Sequence, residues 1–217
     1  MVRTRRTPKI LLIATLVLVL LSAGACSKGK STKPKSKAPR PPSTKADFQI
    51  AEIKGVSGSD RPEAQQKAEA EAPKISALLN DYYSAAFLDK AKWSGGSHPK
   101  LATLFTQDAQ SQITPNLGGL ALSDVAPKLG KVVPSEQKAI KLTFFVEDDQ
   151  STPVGVVTTS FQAKGSPVAK DAEPVAIAHR ATFWLVKEGD LYKIYAYSAE
   201  LKADSQDKTV AFGAPRT

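Results

Sequence analysis

Cysteine is nearly missing from this chain: Cys26 is the one example in 217 residues. That excludes a disulfide framework, a zinc-finger cluster and a cysteine nucleophile anywhere in the folded part. Histidine is almost as scarce, with His98 and His179 alone, so the catalytic inventory is thin. Acidic residues are wholly absent from positions 1–46, which carry 11 Lys and Arg. Residues 47–217 hold the other 19 basic and all 21 acidic side chains, 19 − 21 = −2. The formal charge of +9 is therefore a property of the N-terminus. A nucleic-acid binder is disfavoured, because its basic patch would have to lie on the folded domain. Aromatic residues are also absent before Phe48, which starts the set of 15. One domain of about 170 residues is expected, enough to bury roughly 70% of its unfolded surface. Gly-x-Ser-x-Gly, Walker, His-Glu-x-x-His and dinucleotide fingerprints are missing, so no cofactor and no metal is expected.

What is present begins with an address. Arg3, Arg5, Arg6 and Lys9 precede residues 10–21 (ILLIATLVLVLL), and Ser22-Ala23-Gly24-Ala25-Cys26 follows. A charged start, a short apolar run and a small-residue site form an export signal. A retained transmembrane helix needs roughly 20 apolar residues, and this run falls short. The segment resembles a bacterial lipoprotein signal peptide. Ala23, Gly24 and Ala25 stand where the lipobox precedes its cysteine, with Ala23 in place of the commoner Leu. The resemblance implies cleavage between Ala25 and Cys26 and a diacylglycerol on the Cys26 sulfur. It also implies anchorage on the extracytoplasmic face of a bacterial cell membrane, firm because more than one acyl chain is involved. Arg5-Arg6 after Thr4 hints at twin-arginine export, but Thr7 and Pro8 replace the apolar residues that should follow, which favours Sec export.

Residues 27–46 (SKGKSTKPKSKAPRPPSTKA) hold seven basic side chains, four Pro and six Ser or Thr. With no apolar residue larger than Ala they cannot offset the ordering entropy of a fold, so a disordered tether is expected over 26–46. It serves as a spacer, or adheres to anionic lipid or wall polymer at up to about 1 kcal/mol per basic residue.

The expected α+β domain spans 47–201, with a flexible tail at 202–217. Asp60-Arg61-Pro62-Glu63 reads as a helix start. Ile75, Leu78, Leu79, Tyr82 and Ala86 share one helical face, and Pro73 should kink or divide that helix. A second helix runs from His98-Pro99 to about Ile113, ended by Pro115, Gly118 and Gly119. Strands follow at 138–148, 154–164, 174–187 and 191–201. Gly155 is a possible bulge, 165–173 a loop, and Gly189 the positive-φ residue of a tight hairpin. Helices before long antiparallel strands predict helices packed on one face of a curved sheet.

The closing hairpin, ATFWLVKEGDLYKIYAYSAEL, resembles the nuclear transport factor two-like superfamily. Phe183, Leu185, Val186, Gly189, Tyr192 and Ile194 fill the positions of its usual aromatic-x-Leu-Val-x-x-x-Gly-x-aromatic-x-Ile pattern. That resemblance implies a cone whose cavity the face of Val175, Ile177, His179, Ala181 and Phe183 would line. Enzymes of the superfamily place Asp, Tyr or His pairs there, and none of those motifs maps onto this sequence. His179 is the one weak catalytic candidate, as a general acid or base near neutral pH, against the simpler reading of a core or rim histidine. Asp81, Tyr82 and Tyr83 point inward or pack, and His98 reads as a solvated helix start. Glu147-Asp148-Asp149 lacks the further oxygen ligands of a calcium loop and reads as a solvated turn. Trp93, Tyr195 and Tyr197 form a contact patch or join the core. The expected role is a non-catalytic module for a small apolar ligand or an envelope protein. The alternatives are a structural subunit of an envelope transport or wall-assembly complex, and a cavity isomerase or dehydratase using His179.

Overall fold

The computed structural model describes residues 48, 50–57, 62–93, 97–135, 140–146, 154–204 and 206–213. Cys26, the lipobox, the tether, Asp60-Arg61 and the turn at 147–153 lie outside the described residues. Those described are mixed α+β. Strand β1 (Ile50–Ser57) precedes helix α1 (Pro62–Tyr83), and three short helices follow: α2 (Pro99–Ala102), α3 (Gln107–Gln110) and α4 (Ile113–Leu120). Six further strands complete the sheet: β2 (Leu129–Pro134), β3 (Ile140–Val146), β4 (Val154–Pro167), β5 (Val175–Glu188), β6 (Leu191–Ala203) and β7 (Gln206–Phe212). Among the described residues no helix is long and apolar enough to cross a membrane.

The alternation in β5 buries Ile177, His179, Ala181, Phe183 and Leu185 on one face, and β4 does the same with Val157, Thr159, Phe161 and Ala163. Helix α1 covers this face. Its alanines, Ala64, Ala68 and Ala72, recur every four residues and keep its first half thin. Its last turns carry bulk instead, with Tyr82 centred 4.8 Å from Phe183 and Tyr83 4.8 Å from Phe161. The thin half lets β1 approach closely. A Cβ on Gly55 would lie 2.4 Å from the Ala64 carbonyl carbon, so only glycine fits.

The sheet is curved and unclosed, in the order β1-β3-β4-β5-β6-β7, with β2 pairing beside β3 on the long strand β4. Pairings are antiparallel except that β1 lies parallel to β3. Gln65 of α1 closes the other edge of β1. Its Oε1 accepts from the Gly55 N–H at 2.9 Å and its Nε2 donates to the Ile53 carbonyl at 3.2 Å. The hairpin at Gly189-Asp190 forms as expected, with Gly189 at φ +62°.

Four local expectations need correction, and another is narrowed. Of the kink or division expected at Pro73, the division does not occur; residues 69 and 73 both lie on the exposed side of α1, so the carbonyl left without a donor is open to water. The single helix expected over 98–113 is broken, because Phe105 leaves the helical path to bridge the open edge of β6 at Ile194. Pro115, Gly118 and Gly119 lie inside α4 rather than ending it. Pro115 sits in the first turn, where its missing N–H is no loss. Gly119 is where the helix meets β7, since a Cβ there would lie 2.7 Å from both Val210 methyls. Gly155 is no bulge: it keeps register with Phe144 and Leu185, and the break falls between Trp184 and Leu185, with Tyr195 as the extra residue. Finally, residues 202–203 and 206–212 are strand instead of a flexible tail. A turn at Asp204, φ 58°, sends β7 back along β6.

Candidate functional site

Two places among the described residues hold candidate functional groups in defined geometry. The first is interior. His179 projects from β5 onto the helix-covered face and is fully buried. Its Nδ1 lies 3.0 Å from the Tyr83 hydroxyl of α1, and that hydroxyl lies 2.6 Å from Thr159 Oγ1 of β4. Thr159 in turn donates to the Ala181 carbonyl at 3.4 Å. The hydroxyls and the imidazole form one continuous chain, whose direction of donation follows the tautomer of His179.

Burial pushes the His179 imidazole down to about 3, with the Gly119 backbone opposing. Burial likewise pushes Tyr83 well above the ordinary phenol range, its bond with Thr159 opposing. Both groups are therefore neutral at physiological pH. The space around them is filled by rings: Phe87 is centred 4.9 Å from His179, and Phe48 stacks on Tyr83 at 4.3 Å. The cluster holds α1 against β4 and β5.

The remaining candidates from the sequence are dispersed. Tyr82 packs in the same layer and donates to the Leu120 carbonyl at 2.7 Å, closing the C-terminus of α4. Asp81, by contrast, is exposed. His98 precedes α2 as expected but is buried rather than solvated: its Nδ1 donates to the Ala85 carbonyl at 3.0 Å, because the chain folds back under the turn that ends α1. Burial lowers its basicity too. Trp93 and Tyr197 join the core, and Tyr195 is half-buried. Tyr197 accepts from Asn116 Nδ2 at 2.9 Å and donates to the Gln112 carbonyl at 3.2 Å. Glu147-Asp148-Asp149, like Ala25 and Cys26, lies outside the described residues.

The second place is on the opposite face of the sheet, where a groove of about 420 Å³ runs across β3 to β7. Strand register brings its lining residues into two adjacent rows. Lys141, Thr158, Thr182 and Ser198 form one. Ser160, Arg180, Glu200 and Thr209 form the other. Lys141 pairs with Glu52 at 2.9 Å, which raises its ammonium above the usual value. Glu200 is held by Lys202 at 2.9 Å, and Asp207 meets the same lysine at 3.3 Å. Arg180 is exposed and has no ion-pair partner among the described residues. The outward positions of these strands were not marked in the sequence. The signal was there in the alternation itself, since each residue between two buried ones in β4 and β5 must face out.

Comparison of the chain with protein-family models, with curated proteins and with solved structures finds no match in any of the three.

Proposed function

We propose that this chain is a lipid-anchored extracytoplasmic protein whose domain binds a partner or ligand and catalyses nothing. The observation that carries the binding reading is the filled interior. The helix-covered face, which would line the cavity of a cone, is occupied by Tyr82, Tyr83, Phe87, Phe161 and Phe183, all fully buried. His179, the catalytic candidate of the sequence, is enclosed and held neutral. That leaves no room for an apolar ligand between α1 and the sheet, so binding belongs on the outside. The arrangement of helices on one face of a curved sheet, and the buried Phe183, Leu185, Tyr192 and Ile194 around Gly189, support a nuclear transport factor two-like fold. The parallel strand β1 is an addition to that plan.

Anchorage is supported by the chain itself: a basic start, an apolar run and Cys26 after three small residues. Two variants test the two halves separately. Cys26→Ser lacks the sulfur nucleophile for lipid attachment and should leave the detergent phase or accumulate as precursor. A Ser variant that partitions into detergent at the wild-type mature mass refutes the anchor. His179→Gln should restore whatever deletion of the chain costs the cell. Loss of that function with an unchanged melting curve refutes the binding reading and favours catalysis.

A further inference from the structure

The groove on the uncovered face of the sheet has a chemistry specific enough to name its ligand. Five hydroxyls line it, from Thr158, Ser160, Thr182, Ser198 and Thr209. None of the five is engaged by another protein group among the described residues. Each offers one donor and two acceptor positions. Its floor is the strand backbone at Thr159, Ala181 and Ala199, whose side chains turn to the buried face. Lys141 pairs with Glu52, and Glu200 shares Lys202 with Asp207. Arg180, in the second row opposite Glu200, has no ion-pair partner among the described residues. A planar fork of N–H donors fits the two oxygens of a carboxylate or phosphate better than any other partner.

We propose that this groove binds a sugar ring carrying an acidic group, with Arg180 on the acid and the threonine and serine hydroxyls on the ring hydroxyls. The volume of about 420 Å³ lies within the roughly 300–1,000 Å³ of small-molecule sites. Other occupants fit less well. A cation would meet one carboxylate, Glu200, already held by Lys202. A polyanion or an anionic membrane needs many free cations, and the groove supplies one. A protein interface centred here would present large apolar or aromatic side chains at its core, and none lines this groove.

The inference rests on the binding reading of the domain and is independent of Cys26. The test uses the full-length chain in detergent micelles, isotopically labelled and followed by amide chemical shifts at low salt. Glucuronate, glucose 6-phosphate, glucose and inorganic phosphate are titrated in separate arms. The first two separate a carboxylate from a phosphate as the acid, and the last two separate ring from charge. At least one acidic sugar should shift the amides of Thr158, Arg180, Thr182 and Ser198 and saturate. Glucose and inorganic phosphate should bind about tenfold more weakly or not at all. Arg180→Gln should weaken the acidic sugar by about tenfold, and Thr182→Val should weaken it as well, both with unchanged melting temperatures because the side chains lie at the surface. Three results overturn the assignment: no saturable shift at those amides with either acidic sugar, glucose binding as well as the acids, or Arg180→Gln binding like the wild type. Any of them would leave the binding reading to be judged by His179→Gln, so the two failures are distinguishable.

Discussion

Taking the pH from about 7.5 down to about 5 challenges one buried group before most carboxylates begin to titrate. In the folded chain His179 stays neutral to about 3, against 6.5 for the free side chain. Between those values the unfolded chain binds a proton that the folded chain refuses. Stability is therefore complete above about 6.5, falls as the pH drops, and levels off near 3, with a limiting slope of about 1.4 kcal/mol per pH unit. At pH 5 the loss from this group alone is about 2 kcal/mol. At about 2–4 °C per kcal/mol for a domain of this size, the melting temperature should drop by about 4–8 °C. His98, whose basicity burial also lowers, acts in the same direction. Thermal melts of the wild type and of His179→Gln across this range isolate the His179 share. The variant starts lower, having lost the bond to Tyr83, but its melting temperature should fall less steeply. Parallel curves would refute the neutral, enclosed histidine.

Two glycines give sharper tests of packing. Gly55→Ala should destabilise by about 2–4 kcal/mol in urea unfolding, because the atoms a Cβ would meet at 2.4 Å are backbone of α1 and cannot rotate away. A loss under about 0.5 kcal/mol would mean that β1 does not lie on α1 as described. Gly119→Ala should also destabilise, but there the obstacle is a side chain, Val210 at 2.7 Å. Adding Val210→Ala should recover part of the loss, and strict additivity of the two changes in a double-mutant cycle would show that α4 and β7 do not touch there.

The closing hairpin was legible because its code is local. Alternation over β5 and β6, with glycine at the turn, fixes strand, face and register together. The long first helix was legible for the same reason. What escaped is whatever depends on a distant partner. Strand β1 takes its place by lying parallel to β3, and nothing near residues 50–57 announces that. Strand β7 reads as polar because it is an edge strand, with Asp207, Lys208 and Thr209 exposed, so the apolar alternation of an inner strand is missing. Gly118 and Gly119 signal a helix end on their own. Their meaning changes once Val210 arrives from a strand some ninety residues later. At the site, His179 could be placed on the inner face. Its partner Tyr83, 96 residues away, could not. The groove is less local still, since its rows exist only through the register of five strands.

The two hydrogen bonds from Gln65 to β1 bear on the order of assembly. Strand β1 must find β3 across about 90 residues, as in the pairing of Ile50 with Ile140. Its attachment to α1 through Gly55 and Gln65 closes a loop of 10. Closure entropy grows as three-halves RT times the logarithm of loop length, so the short closure is easier by about 2 kcal/mol. Docked on α1 first, β1 no longer searches as a free segment. When β3 forms it meets a strand already aligned, and the one parallel pairing of the sheet becomes the joining of two preformed pieces.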